Sequence, residues 1–373
     1  MNRHETLRIQ KIELYKLFVP LKEPFVISLG PIPAAENVLV IIYTEEGITG
    51  YGECSPFMSI NGESMDTGFV VGQYFAQLFK GKNALDIEER VAEMDRLIYG
   101  NNSIKSAFDI ALYDIAAQNA GLPLYKFLGG DNTKTIVTDY TVSIADPEKM
   151  AADAVKIKQE GYPAIKIKLG KHGPTDVERI RAIRAAVGDE IPLRIDANQG
   201  WQPDEALETL KALDQFGIQH CEEPIPRWAF MELPKLRQQS PIPIMSDESC
   251  GDEHDAERLI QLQACDYMNI KLGKSGGIFK ALKMVKLAEK ANIHLQVGAF
   301  MESRLAMTAF AHFSLCSPII EHFDFDTCLM FSEDPVTGGI IYEKNGVIKV
   351  PEVPGLGARV SEEWLSRLEK VVV

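Results

Sequence analysis

From about residue 137 onward, apolar positions fall into a repeat of a short strand-like run and then a longer stretch with helical spacing. The short runs are TDYTVSI (138–144), AIKIKLG (164–170), PLRIDAN (192–198), IQHCEEP (218–224), PIMSDES (243–249), DYMNIKL (266–272), HLQVGAF (294–300) and IIEHFDF (319–325). Between them lie amphipathic patterns such as PEKMAADAVKIKQEG and PDEALETLKALDQFG, the latter closed by a glycine suited to a helix C-terminus. Eight strands alternating with helices predict a parallel barrel of the (β/α)8 type over residues 131–326. Residues 1–130 lack that rhythm: LRIQKIELYKLFVPL and ENVLVIIYTEEGITGYGEC predict a strand and an antiparallel hairpin turning near Glu46-Gly47. Helical segments follow, ending in SIKSAFDIALYDIAAQNAG. This is an α+β domain in front of the barrel, and the strand-like tail GGIIYEKNGVIKVP is expected to pack back on it, so that about residues 327–373 complete that domain.

AIKIKLG turns the pattern toward chemistry. Ile165, Ile167 and Leu169 take one face of the strand, and Lys166 and Lys168 are aimed together on the other. Buried ammonium groups need an answering charge. Active sites of parallel barrels lie at the C-terminal strand ends. There strands three, four and five end in Asp196, Glu222 and Asp247, strand six ends in Lys271, and strand eight carries Asp324 and Asp326. Any one of these acids reads equally as a helix cap. Three in matching register on adjacent strands would repel one another unless a hard divalent cation lay between them, and an all-oxygen site suits Mg2+.

In a closed ring of eight, strands two and six face each other, which puts Lys168 and Lys271 on opposite sides of a ligand. Asp324 and Asp326 lie opposite the metal. The arrangement describes a substrate with its carboxylate at the metal, a cationic group at the paired acids and a reacting carbon between two lysines. It suits proton removal next to a carboxylate: the metal neutralises the enediolate, one lysine takes the proton and the other returns one to the opposite face. A lysine serves as base only with a lowered pKa, and the cation together with the neighbouring Lys166 is expected to lower it. Lys166 is a second candidate for binding the carboxylate.

Composition narrows the setting. The 373 residues, 46% apolar and 25% charged, suit a large folded enzyme. A net charge of −14 argues against nucleic acid or an anionic membrane as partner. The start, MNRHETLRIQ, lacks a signal-peptide core, and no apolar run approaches the roughly 20 residues of a membrane span. Six scattered cysteines without CxxC spacing read as buried thiols in a reducing compartment, so a cytoplasmic location is expected.

KIK on strand two, DANQGW, EEP, SDES and NIKLGKSGGI resemble the enolase superfamily in its muconate-lactonizing-enzyme-like branch, over the whole chain. The resemblance implies a modified (β/α)7β barrel with an N-terminal α+β capping domain. It also implies Lys168 and Lys271 as the acid/base pair, and one Mg2+ per subunit on Asp196, Glu222 and Asp247, with Mn2+ as a substitute. Within the branch, an Asp-x-Asp like DFD implies a dipeptide epimerase, with Asp324 and Asp326 holding the α-ammonium group. Thr141 matches a position near the substrate, and Phe300 and Met301 match the side-chain pocket. A homo-oligomer acting on a small dipeptide is expected. Muconate-type cycloisomerase, o-succinylbenzoate synthase and N-acylamino acid racemase remain the alternatives, with a non-catalytic ligand-binding barrel behind them. Family members acting on Ala-Glu carry an arginine in a mobile loop after the first strand. The corresponding stretch, PFVISLGPIPAAENV, has no basic residue, and Gly30 stands at that position. Small or hydrophobic dipeptides such as Ala-Ala and Ala-Val are therefore expected ahead of Ala-Glu.

Overall fold

The structure, a computed structural model, describes residues 4–373; the first three residues of the opening stretch lie outside the described residues. The capping domain is built on β1 (Ile9–Ile27), β2 (Gly30–Thr44) and β3 (Thr49–Cys54), antiparallel neighbours in one sheet. The turn between β2 and β3 falls at 45–48, where Thr44 N–H donates to Ile48 O at 3.0 Å. Along β2 the apolar run sorts by parity: Val38, Val40 and Ile42 pack with α1 (Met65–Phe79) and α3 (Asn102–Ala120), while Leu39 and Ile41 join the barrel's core. Two-sided burial explains why this strand reads as continuously apolar. Two glycines of β3 answer the close approach of α3: a Cβ on Gly50 would lie 2.1 Å from Ala111 O, and one on Gly52 would lie 1.9 Å from Ala107 O.

Eight parallel strands form the second sheet, in chain order from one edge to the other: Tyr140–Val142, Ile165–Lys168, Leu193–Asp196, Ile218–Glu222, Ile244–Ser246, Tyr267–Ile270, His294–Gly298 and Ile320–Asp324. They are numbered one to eight below. Asp139 N–H to Phe323 O (3.3 Å) and Phe325 N–H to Thr138 Oγ1 (2.9 Å) close the seam between strands eight and one. Ile165, Ile167 and Leu169 face the surrounding helices in the main core, as the alternation requires.

The tail divides its contacts. Lys370–Val372 adds a strand to the capping sheet beside β1, and Gly355 and Leu356 bond Leu124 and Asp114. The strand-like GGIIYEKNGVIKVP behaves differently from expectation: Ile341–Tyr342 and Val347–Lys349 form a small sheet with Ile136–Val137, just ahead of barrel strand one. The hairpin tip is a second departure. The stretch read as a loop is paired strand, with Phe25 opposite Ile32 and Ile27 opposite Gly30. All six cysteines are free; Cys316 and Cys328 are half-buried rather than buried. No helix of the described residues is long and apolar enough to cross a membrane.

Candidate active site

The residues singled out in the sequence collect at one end of the barrel. Lys166 and Lys168 lie within strand two, Asp196, Glu222 and Asp324 end their strands, and Asp247 and Lys271 stand one residue beyond theirs. Strand pairing puts Lys168 opposite Asp196 and Asp196 opposite Glu222, so the three side chains share one level of the ring.

Each acid is held on an ammonium. Lys168 Nζ donates to Asp196 Oδ2 at 2.6 Å, and Lys271 Nζ to Asp247 Oδ2 at 2.7 Å. Lys166 Nζ lies 2.6 Å from Asp324 Oδ2, 2.8 Å from Glu222 Oε2 and 3.2 Å from Asp196 Oδ2. Lys274, which the sequence reading passed over, takes Asp247 Oδ1 and the Asp247 carbonyl. Glu222 accepts further bonds from Asn269 Nδ2 at 2.8 Å and Gln296 Nε2 at 3.1 Å.

Burial would raise the Asp196 carboxyl, yet Lys168 and Lys166 outweigh it and hold the group below its ordinary range. Burial likewise opposes the Asp247 carboxylate, and Lys271 and Lys274 reverse the effect strongly. Glu222 is pushed up to about 7, first by burial and then by Asp196 beside it. Burial disfavours the charged lysines, but the surrounding acids prevail and raise Lys166 well above its ordinary range; Lys271 is raised too, by Asp247 and Glu222. At Lys271 the neighbouring Asp247 favours the charged form, while Lys166 works in the expected direction and lowers it. Lys166 is no free ammonium beside Lys168; three carboxylates answer it.

Asp196, Glu222 and Asp247 make a fully buried, all-oxygen donor set on adjacent strands, the chemistry a hard dication takes. No three His, Cys, Asp or Glu side chains among the described residues converge as a ligand cluster; each of these three acids is instead bonded to an ammonium. In donor chemistry the three carboxylates fit the ion.

The two acids of DFD do not share one environment. Asp324 lines the inner cavity together with Thr141, Lys168, Lys271, Phe300 and Met301. Asp326 is fully buried, accepts the Thr141 N–H at 2.6 Å and leaves Oδ1 without a partner. Burial, then the nearby Asp324 and Asp139, raises its pKa well above the carboxylate range. The inner cavity measures about 30 Å3, closed over by Phe25, Ile27 and Ile32 of the hairpin and by Phe57 and Ile60. Ile27, Ile32, Phe57 and Met301 also border an outer cleft of about 280 Å3, and Gly30 lies there rather than in the inner cavity. Lys22 is engaged by Leu329 O at 2.8 Å. A lysine does touch the hairpin tip: Lys171 Nζ donates to Ser28 O at 2.8 Å, and Ser28 Oγ donates to Asn198 O at 2.7 Å.

Asn198, Asn269, Gln296 and Lys274 escaped the sequence reading. Asn269 and Gln296 had a usable signal, because Asn269 precedes Lys271 by two residues and both lie on the inward parity of strands six and seven.

Two family models match the chain: "Mandelate racemase / muconate lactonizing enzyme, N-terminal domain" over residues 11–129 and "Enolase C-terminal domain-like" over residues 149–364. A D-Ala-D/L-Ala epimerase of Cytophaga hutchinsonii is 59% identical over 365 residues, covering 98% of this chain and 99% of that one. The crystal structure of a dipeptide epimerase from the same organism, complexed with Mg and D-Ala-L-Val, superposes with a TM-score of 0.97 over 98% of this chain and 100% of that chain. An L-Ala-D/L-Glu epimerase of Bacillus subtilis is 39% identical over 355 residues, 94% of this chain and 96% of its own. The chain belongs to the enolase superfamily, in the mandelate racemase/muconate lactonizing enzyme family, and its relatives there include the dipeptide epimerases.

Proposed function

We propose that this chain is a Mg2+-dependent dipeptide epimerase that inverts the α-carbon of the C-terminal residue by two-base proton transfer. The observation that carries the reading is that Lys168 and Lys271, from strands four places apart in a ring of eight, line one enclosed cavity with Thr141 and Asp324. A reacting carbon between the two amines can lose a proton to one and receive a proton on its opposite face from the other. Mg2+, held by Asp196, Glu222 and Asp247, would supply the positive charge that neutralises the enediolate. With Asp247 and Glu222 so engaged, Lys271 would lose the anions that favour its protonated form. Asp324, bonded to Lys166 and lining the same cavity, would receive the dipeptide's ammonium group, and Asp326 behind it accepts the Thr141 N–H.

The walls support a preference for small or hydrophobic residues. Phe25, Ile27, Ile32, Phe57, Ile60, Phe300 and Met301 surround the lysines, and the only charged side chain lining the outer cleft is Glu36. A glutamate carboxylate buried against these side chains would cost several kcal/mol without a partner. The likeness to a D-Ala-D/L-Ala epimerase supports the same direction. Screening a dipeptide library in D2O by mass spectrometry tests the reading, since each turnover introduces deuterium at the α-carbon. Ala-Ala and Ala-Val are expected to exceed Ala-Glu in kcat/KM; a clear preference for Ala-Glu overturns the assignment of substrate.

A further inference from the structure

The loop after strand seven, Phe300 to Ser303, supplies two walls of the inner cavity, yet it is held mainly by the capping domain. Met301 O accepts from Asn37 Nδ2 at 2.7 Å, and Met301 N–H donates to Ser55 Oγ at 3.2 Å. Glu53 of β3, almost fully buried, receives four donors: Ser303 N–H (2.9 Å) and Asn37 Nδ2 (2.7 Å) on Oε1, and Ser303 Oγ (2.5 Å) and Ala306 N–H (3.2 Å) on Oε2. Both oxygens face hydrogens only, so the site asks for a carboxylate; an amide would turn its own N–H groups on a donor. The helix it meets, Arg304–Ser314, begins immediately after the loop, and its N-terminal end favours the negative charge. The loop in turn sets Phe300, whose ring centre lies 4.7 Å from Lys271 Nζ and 5.7 Å from the Phe57 ring.

The sixth-strand loop is gripped in the same way. Asp109 of α3, fully buried, accepts the N–H groups of Ile278 and Phe279 at the start of the helix Ile278–Ala291. Gly277 leaves room for it, since a Cβ there would lie 2.4 Å from the Asp109 side chain. Asn102 Nδ2 adds a bond to Lys274 O at 2.8 Å.

We infer that Glu53 is a positioning residue: from the capping domain it fixes Phe300 and Met301, and so shapes the pocket for the substrate's C-terminal side chain. The inference rests on the dipeptide reading above for its kinetic consequence, though not for its structural one. Glu53→Gln tests both. Hydrogen exchange read by mass spectrometry is expected to rise in the peptide spanning 299–306 and to stay unchanged across strands two to five. In the same protein, the ratio of kcat/KM for Ala-Val over Ala-Ala is expected to fall roughly tenfold, mainly through KM for Ala-Val, as for a hydrophobic pocket misfitted by about a methylene. A residue that merely supported folding would lower both substrates together. Unchanged protection of 299–306, or an unchanged substrate ratio in folded protein, overturns the inference. Should Glu53→Gln fail to fold, Ser55→Ala removes only the acceptor of Met301 N–H; the same two shifts are expected, smaller, and their absence counts equally against it. A wild type that exchanges no dipeptide would sink the functional reading, while the exchange of 299–306 would still decide the role of Glu53.

Discussion

Lys271→Ala removes one of the two proposed bases and leaves the other in place. Lys271 is 3% exposed, with Nζ 2.7 Å from Asp247 Oδ2. The neighbouring amines are engaged elsewhere: Lys274 is bound to Asp247 and to Asn269 O, and Lys166 to Glu222 and Asp324. A positioned base contributes roughly 10²–10⁴-fold. A loss of about 10³ in the step it serves corresponds to about 4 kcal/mol of barrier. Asp247 keeps Lys274 as a partner, so the change does not strand a buried carboxylate and the fold is expected to survive. The signature is asymmetry. Each pure stereoisomer of Ala-Val is incubated in D2O and its α-proton followed by NMR; the isomer facing Lys168 should still exchange, the other should not, and net epimerisation should vanish. Lys168→Ala should give the mirror image. Near wild-type epimerisation by Lys271→Ala refutes the two-base mechanism, as does equal loss of exchange from both isomers in a folded, Mg2+-binding variant.

Activity should disappear in excess chelator and return with Mg2+ or Mn2+, and Asp196→Asn, Glu222→Gln or Asp247→Asn should each raise the metal concentration needed; full activity in chelator excludes the assignment. Asp324→Asn should raise KM for free dipeptides through loss of a charge-assisted bond, and an N-acetylated dipeptide should be a poor substrate of the wild type; better turnover of the acetylated compound would instead indicate an acylamino acid racemase. Away from the site, Glu63 is pushed up to about 7, mainly by burial, from an ordinary 4.5, so the folded state holds its proton more tightly than the unfolded chain. Its contribution to stability is therefore present below pH 4.5 and is lost as pH rises to about 7. Glu63→Gln should flatten that fall and raise stability at pH 8 by on the order of 2 kcal/mol, read from urea unfolding at pH 5 and 8; an unchanged pH dependence refutes it.

The barrel was legible because its strands obey a period of two and its connections are regular. Lys166 and Lys168 share a face for that reason alone, and counting strands around a ring was enough to bring Lys168 and Lys271 to one cavity. Ion-pair partners were not legible. Which acid each lysine meets depends on shear and side-chain reach: Lys166, on the same face as Lys168, spans three carboxylates from strands three, four and eight. The hairpin tip also escaped, since PFVISLGPIP carries three prolines and a glycine and reads as a breaker. Its pairing across Phe25 and Ile32 is irregular, with a register shift between Pro20 and Phe25, so no simple alternation announces it. Lys274 was hidden by its place on a short helical turn after strand six, outside the strand parity used to find the others.

Charge accounting ties the site together. Asp196, Glu222, Asp247 and Asp324 face Lys166, Lys168, Lys271 and Lys274, so each of these buried acids meets at least one ammonium. That pairing explains how four acids tolerate complete or near-complete burial. The same pairing works against Lys271 as a base, since Asp247 and Glu222 stabilise its proton. Mg2+ held by Asp196, Glu222 and Asp247 would engage those carboxylates in place of the ammoniums. The proposed reaction asks for a neutral amine, and Lys168 and Lys271 are the amines that line the cavity. Three of the carboxylates that answer the buried lysines are therefore the same ones proposed to hold the metal, so one set of residues serves both the stability of the mouth and its chemistry.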